Sequence, residues 1–122
     1  CKPDFSVSTP ELFRRLDAVK LRCHPDTQGI IELLREGDLP KIARRMYNVF
    51  EDVPDRRHNE IAAIKSTMLD CGALGAVMTG TGSAVFGLYD DESAAKKSLD
   101  ALRRDWRCVA PAKIMPRIDF KN

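Results

Sequence analysis

Several residue patterns are scarce or missing in this sequence of 122 residues, and each absence argues against a class of protein. The four cysteines are scattered and form no C-x-x-C pair, which argues against a metal site and favours free thiols in a reducing cytoplasm. No apolar run is long enough to span a bilayer. The net charge of +2 is too small to predict nucleic-acid binding. We therefore expect a cytoplasmic protein with no metal ligands, no membrane association and no nucleic-acid partner.

Aromatic residues are also few, at 7% of the chain. An RNA-binding sheet displays interleaved aromatic and basic side chains, and here only Phe86 and Tyr89 qualify, with no lysine beside them. Hydrophobic residues at 43% and charged residues at 31% are instead typical of an ordinary globular chain. We expect residues 1–122 to form one domain.

The most informative segment that is present covers residues 75–89, where two apolar, strand-prone runs flank a turn of glycines and hydroxyl residues. Glycine lets the backbone reach positive φ and lets a ligand approach the main chain closely. Successive amides in such a turn can make an anion-binding concavity, and neighbouring hydroxyls can reach the same oxygens. A plain hairpin turn is the competing interpretation. The candidate phosphate-binding residues, here called the glycine loop, are Thr79, Gly80, Thr81, Gly82 and Ser83.

Two better-known glycine motifs do not fit this loop. A Walker loop needs Gly-Lys-Ser/Thr leading into a helix, whereas Gly82 is followed by Ser83 and a predicted strand. A dinucleotide fingerprint needs a third glycine three positions after the second, and that position is Val85. A phosphate bound here would therefore have no helix dipole behind it.

Apolar periodicity and capping residues predict helices first and a sheet later. The predicted helices cover residues 9–19 with Thr9 as the cap, then 25–37, 38–53, 59–72 and 91–106, and the last strand covers residues 108–115. Proline at position 111 indicates that this strand lies at an edge of the sheet or contains a bulge.

The order helix–strand–strand–helix–strand indicates an α+β fold, the ferredoxin-like split βαβ antiparallel sheet with helices on one face. The first strand of that pattern is expected to be truncated before Pro3. A sheet without it has an open edge, so we also expect a chain that dimerises through that edge.

Four segments of the chain, in this order, resemble one enzyme family. They are the Ser-Thr-Pro-x-x-Phe segment within residues 3–13, the patterns at residues 24–27 and 48–51, and the glycine segment at residues 78–88. In combination they resemble the 4-diphosphocytidyl-2-C-methyl-D-erythritol kinases of the GHMP kinase superfamily. The resemblance covers nearly the whole chain.

This resemblance implies an enzyme that moves the γ-phosphoryl group of ATP, with Mg²⁺, to a hydroxyl of a cytidylylated substrate in isoprenoid synthesis. The main nucleotide loop and the catalytic Lys and Asp of the superfamily lie in an N-terminal half, which this chain lacks. The chain is therefore expected to be a C-terminal part whose partner is that missing half. Alone it should contain no catalytic residue, bind no cofactor and have no kinase activity.

The resemblance also implies roles for two residues of the first helix. In the family, an aromatic residue matching Phe13 stacks on the cytosine ring, and a hydroxyl matching Thr9 lies near the substrate entrance. Core packing is the competing interpretation of Phe13, and helix capping is the competing interpretation of Thr9. His24 and Asp26 match a family helix start and are interpreted as structural.

Two alternatives stay open at this point. Another GHMP kinase, of the mevalonate or homoserine type, would share the glycine loop without the Ser-Thr-Pro-x-x-Phe segment. The split βαβ pattern also suits a regulatory domain that binds a small molecule.

Overall fold

The structure, a computed structural model, describes residues 1–19 and 25–114, so His24 and the end of the predicted last strand at Met115 lie outside the described residues. The described part is an α+β fold, as expected, and its sheet consists of two antiparallel strands. In chain order its elements are α1 (Thr9–Asp17), α2 (Thr27–Glu36), α3 (Leu39–Arg45), a 3-10 turn (Val49–Asp52), α4 (His58–Asp70), β1 (Gly75–Met78), β2 (Val85–Leu88) and α5 (Glu92–Arg103).

Carboxylates begin three of these helices, as their sequence positions predict. Asp26, Asp38 and Asp91 each precede a helix and accept a hydrogen bond from a first-turn amide, at 3.1, 3.1 and 2.9 Å. Such a carboxylate satisfies an unpaired donor and faces the positive end of the helix dipole. The structural interpretation of Asp26 is therefore confirmed.

The single helix predicted over residues 38–53 is two elements. α3 ends at Arg45, and the backbone is extended at Met46 before the 3-10 turn begins. The Asn48 side chain caps that turn by accepting a hydrogen bond from the Phe50 amide at 3.0 Å. Apolar spacing continues across the break, so periodicity alone does not reveal it.

The core lies where α4 and α5 cover one face of the β1–β2 hairpin. Alternate strand residues point toward these helices, as the two-residue period of a strand requires. α3 lies instead against the opposite face of β1, where a Cβ on Gly75 would be 2.6 Å from the Ala43 carbonyl oxygen. α3 therefore lies outside the layer that α4 and α5 form. The buried residues of this cluster are Ile61, Ile64, Met68, Met78, Val85 and Leu102.

The start of the chain lies beside β2. Cys1 exchanges two backbone hydrogen bonds with Val85, both 2.8 Å long, and Lys2 forms an antiparallel bridge with Cys108. The paired backbone segments therefore lie side by side in the order β1, β2, residues 1–2 and Cys108. This order fits the split βαβ pattern. The strand predicted over residues 108–115 is reduced, in its described part, to that one bridge.

The packing predicts a sharp contrast between two apolar residues of α4. Ile64 is 0% exposed, whereas Leu69 is 48% exposed. Ile64→Ala should lower the free energy of unfolding by about 2–5 kcal/mol, because it leaves a cavity in the core. Leu69→Ala, the control, should change it by about 0.5 kcal/mol or less. Urea denaturation measures both, and equal losses would contradict this packing.

Candidate phosphate-binding loop and its surroundings

The glycine loop joins β1 to β2, and its own backbone closes the turn. The Thr79 amide donates to the Ala84 carbonyl and the Gly82 amide donates to the Thr79 carbonyl, each at 2.8 Å. These two amides are therefore engaged inside the turn. Within residues 1–19 and 25–114, the amides of Gly80 and Thr81 make no hydrogen bond and are donors that the loop can offer to a ligand.

Both glycines of the loop adopt positive φ, 47° at Gly80 and 97° at Gly82, which L side chains rarely reach. Space differs between the two positions. A Cβ on Gly82 would lie 2.9 Å from the Met78 sulfur, whereas a Cβ on Gly80 would meet nothing within 4 Å. Gly82 is thus packed against the protein, and Gly80 presents the exposed main chain of the loop.

The Ser83 hydroxyl is turned into the protein. Ser83 is 2% exposed, and its Oγ donates to the Phe5 carbonyl at 2.7 Å. This hydrogen bond fastens the loop to the segment that precedes α1. Of the three hydroxyls predicted to face a ligand, only those of Thr79 and Thr81 lie on the accessible part of the loop.

Thr9 is brought to the glycine loop by α1. Its Oγ1 lies 3.2 Å from the Thr81 Oγ1, within hydrogen-bond distance. The interpretation of Thr9 as a helix cap is wrong, because α1 already includes Thr9 and Ser8 holds the N-cap position without a side-chain hydrogen bond. The Thr9 hydroxyl therefore contacts the loop and not the amides of its own helix.

Phe13 lies one turn further along α1 and is 50% exposed, whereas its neighbour Leu12 is 3% exposed. Core packing, the competing interpretation of Phe13, is therefore wrong, because Leu12 takes the buried place. The Phe13 and Phe50 rings form an edge-to-face pair with centroids 5.1 Å apart and planes at 83°. Such a pair holds the Phe13 ring in position while half of the residue remains accessible.

Asn48 connects the glycine loop to the turn that carries Phe50. Its Nδ2 donates to the carbonyl oxygens of Met78 and Gly80, both at 2.7 Å, while its Oδ1 accepts from the Phe50 amide. The Asn48 side chain therefore binds both the first part of the glycine loop and the backbone of Phe50, whose ring contacts Phe13. The sequence placed Asn48 in a family pattern but assigned it no role. The signal available in the sequence was an amide residue within an apolar pattern that otherwise continues.

Glu51 ties the end of β1 to α4. Its Oε2 accepts from the Met78 amide at 3.3 Å, and its Oε1 is paired with Lys65 Nζ at 2.8 Å. Both carboxylate oxygens are engaged, so this group acts as a support and not as a base toward the loop. Sequence reasoning missed the pair because its members lie on different elements.

Asp55 and Arg57 hold the segment that leads into α1. The Arg57 Nη2 donates to the Asp55 carboxylate at 2.7 Å, and its Nη1 donates to the Ser6 carbonyl at 3.1 Å. The same guanidinium lies 5.4 Å from the centroid of the Phe5 ring, within cation–π range. Hydrogen bonding from Arg57 lowers the pKa of Asp55 from 3.8 to about 2.

An open concavity of about 550 Å³ adjoins the glycine loop. Thr79 and Gly80 lie at its edge, Asn48 and Phe50 form part of its wall, and the rest is mainly apolar. Since Thr9 contacts Thr81 and Phe13 contacts Phe50, the structure brings all the predicted site residues to one region of the molecule.

The part of the chain that the structure describes contains no group of three or more His, Cys, Asp or Glu side chains that could hold a metal ion. In the same described part, none of the helices has the length and apolar character needed to cross a membrane. Cys1, Cys71 and Cys108 are free thiols.

Comparison with known proteins agrees with this architecture. Residues 30–108 match the family model described as GHMP kinases C terminal. The chain belongs to this family. The expected relation to GHMP kinases is therefore confirmed, whereas the roles of Thr9, Phe13 and the glycine loop stay predictions.

Three curated relatives of this GHMP kinase domain share one name. This chain is similar to the 4-diphosphocytidyl-2-C-methyl-D-erythritol kinase of Alkaliphilus metalliredigens, with 44% identity over 101 residues. Those residues are 83% of this chain and 35% of that protein. Kinases of the same name from Clostridium botulinum strain Hall and Clostridium kluyveri are 38% and 37% identical over 108 residues, covering 88% of this chain and 39% of each. The chain thus spans little more than a third of the curated relatives it matches. No solved structure matches it.

The contacts of Asn48 predict how the loop of this GHMP kinase domain responds to its loss. Asn48→Ala removes both hydrogen bonds to the loop carbonyls, so the free energy of unfolding should fall by about 1–3 kcal/mol. Amide hydrogen exchange at Gly82 should also accelerate. Asn59→Ala is the control, because Asn59 is exposed and its side chain makes no hydrogen bond within the described residues. Unchanged exchange at Gly82 in Asn48→Ala would contradict the supporting role.

The lowered pKa of Asp55 predicts a pH dependence of stability. A carboxylate whose folded pKa lies below 3.8 stabilises the fold above that pH, and this contribution is lost as the pH falls toward about 2. Asp55→Asn should therefore cost about 1 kcal/mol near neutral pH, a value reduced by solvent screening. The difference from the parent chain should shrink between pH 4 and 2 in urea titrations.

Asp70→Asn serves as the control for this titration, because Asp70 is exposed on the last turn of α4. It should leave the pH dependence of the parent chain unchanged. A cost of Asp55→Asn that is the same at pH 7 and at pH 2 would rule out the ionic contribution assigned to Asp55.

Proposed function

We propose that this chain is the C-terminal part of a 4-diphosphocytidyl-2-C-methyl-D-erythritol kinase and forms one wall of its substrate cleft. The whole enzyme would transfer the γ-phosphoryl group of ATP to a hydroxyl of the cytidylylated substrate in isoprenoid synthesis. The name shared by the relatives supports this substrate over those of mevalonate- or homoserine-type kinases. Membership of a kinase family disfavours the regulatory-domain alternative.

The observation that carries the proposal is the pairing of an accessible aromatic ring with a loop of unengaged amides. Phe13 is 50% exposed and held at one edge by Phe50, and Thr9 on the same helix contacts the glycine loop. An aromatic face binds a base by stacking, and main-chain amides bind phosphate oxygens. Together they match the two ends of a cytidine diphosphate group.

Enzymes catalyse phosphoryl transfer mainly by positioning the substrates and by stabilising charge. A wall of the cleft that binds the substrate therefore contributes to the reaction without performing acid–base chemistry. In this assignment Phe13 stacks on cytosine, and the amides of Gly80 and Thr81 receive phosphate oxygens. The Thr9 and Thr81 hydroxyls, 3.2 Å apart, can donate to the same ligand. Glu51 stays a support, because Lys65 and the Met78 amide occupy both of its oxygens.

The reacting groups are assigned to the N-terminal half of the enzyme, which is the partner of this chain. That half would supply the main nucleotide loop, the Mg²⁺ ligands and the catalytic Lys and Asp. The chain by itself is then inactive, binds neither ATP nor Mg²⁺, and works in the cytoplasm as part of the larger enzyme.

Steady-state kinetics of the whole kinase test the assignment of Phe13. Loss of stacking on one base is worth about 1–3 kcal/mol, so Phe13→Ala should raise KM for the cytidylylated substrate by about 5- to 150-fold. Phe13→Tyr keeps an aromatic face and should stay close to the parent enzyme. KM for ATP should not change in either variant, because the ring is assigned to the other substrate.

Leu34→Ala is the matched control, since Leu34 is an apolar residue of α2 that is 61% exposed. It should change neither KM. An unchanged KM in Phe13→Ala would remove the stacking role, and phosphorylation of the substrate by the 122-residue chain alone would overturn the assignment of the reacting groups to the other half.

A further inference from the structure

α1 carries both Thr9 and Phe13, yet little of this helix is embedded in the domain. It has nine residues, and Leu12 is the one residue that it fully buries. Isolated helices shorter than about 12–15 residues are marginal in water, so contacts with neighbouring segments must hold α1 in place. The orientation of Thr9 and Phe13 therefore depends on a few side chains.

Two pairs of side chains, each four residues apart, lie on different flanks of α1. Thr9 and Phe13 form the flank that contacts the glycine loop. Glu11 and Arg15 form the other flank and are joined by an ion pair of 2.8 Å. With about 3.6 residues per turn, Leu12 points into the protein between the two flanks. A contact that fixes the rotation of the helix from the second flank therefore also fixes the direction in which Phe13 points.

Arg15 makes such a contact with the turn that precedes α4. Its Nη1 lies 3.7 Å from Asp55 Oδ2 and 3.5 Å from the Pro54 carbonyl oxygen. The Asp55 side chain is 8% exposed, whereas that of Arg15 is 44% exposed. Because the pKa of Asp55 is lowered to about 2, this nearly buried carboxylate is charged at neutral pH. Arg15 is thus a surface side chain whose guanidinium ends on a fixed negative charge.

The same carboxylate also holds the segment that enters α1. Arg57 forms a two-pronged pair with Asp55, with Nε 3.0 Å from Oδ1 and Nη2 2.7 Å from Oδ2. The remaining Nη1 of Arg57 donates to the carbonyl of Ser6, two residues before the N-cap Ser8. Asp55 is therefore connected to the entry of α1 through Arg57 and to its last turn through Arg15. Two attachments along one short helix fix both its direction and its rotation.

We propose that Arg15 is a positioning residue for the substrate site, and that it acts with Asp55 to hold α1 in the orientation that presents Phe13 and Thr9 to the substrate. This inference rests on the function proposed above. Arg15 itself touches no substrate, because it lies on the flank of α1 away from the glycine loop. The competing interpretation is a surface ion pair that adds a little stability and has no effect on the substrate.

Steady-state kinetics of the whole kinase separate these two interpretations. Arg15→Gln should raise KM for the cytidylylated substrate by about two- to fivefold, the size expected for a partly exposed ion pair, and leave kcat and KM for ATP unchanged. Arg15→Lys keeps a positive charge and should recover part of the loss. Arg14→Gln is the matched control, because Arg14 is exposed beside Arg15 and forms no ion pair or side-chain hydrogen bond within the described residues. It should leave both KM values unchanged.

The Phe13→Ala background distinguishes positioning from a general loss of stability. In that background the ring that Arg15 orients is absent, so Arg15→Gln should raise KM by less than about 1.5-fold. A residue that only stabilises the fold would have the same effect in both backgrounds. Equal increases in KM with and without the Phe13 ring would therefore overturn the positioning role.

A cross-link measures the placement of α1 without any reaction. The Thr9 and Thr81 hydroxyl oxygens are 3.2 Å apart, so Thr9→Cys and Thr81→Cys bring two sulfurs close together. In a kinase whose natural cysteines are replaced by serine, Arg15→Gln should slow the oxidative link by about twofold or more, and Arg14→Gln should not.

The two measurements also separate this inference from the proposed function. If Phe13→Ala raises KM while Arg15→Gln changes neither KM nor the cross-linking rate, the positioning role of Arg15 is overturned and the proposed function stands. If Phe13→Ala leaves KM unchanged, the proposed function loses its stacking residue. The cross-link then decides alone: a slower link in Arg15→Gln supports the placement of α1 by Arg15, and an unchanged link overturns it.

Discussion

Two backbone hydrogen bonds between Cys1 and Val85 determine where the functional parts of this domain lie. They join the first residue described to a strand more than eighty residues later, and they place the segment leading to α1 beside the β1–β2 turn. Ser83 and Arg57 hold the same segment through the carbonyl oxygens of Phe5 and Ser6. Together these contacts hold α1, with Thr9 and Phe13, beside the glycine loop.

The loop is held more firmly than a hairpin turn requires. Asn48 holds two of its carbonyl oxygens, Glu51 holds the amide at the end of β1, and Lys65 fixes Glu51 in turn. These contacts leave the Gly80 and Thr81 amides unengaged while the backbone around them is fixed. Donors that are preorganised in this way bind an anion without the cost of ordering the loop. The contacts that fix the loop backbone thus also leave these two amides available to a ligand.

Much of the fold follows from residues close together in sequence. The capping carboxylates of Asp26, Asp38 and Asp91, the two strands and the glycine turn all appear where local patterns predict them, because each depends on contacts within a few residues. Local patterns failed at residues 38–53, where the side chain of Asn48 interrupts an apolar period that otherwise continues. Local patterns also failed at residues 109–114. A strand forms there only where a second backbone segment pairs with it, and the local sequence does not show where that segment lies.

The sequence by itself determined the family, the α+β class and the conformation of the glycine turn, since motif order, periodicity and glycine's access to positive φ are properties of short segments. Only the tertiary structure decided which of Leu12 and Phe13 is buried, because both fit the periodicity of one helix. It also decided that the Thr9 hydroxyl contacts Thr81 and that the Ser83 hydroxyl is engaged by Phe5. The last two contacts join segments more than seventy residues apart, and no local pattern encodes how such segments pack together.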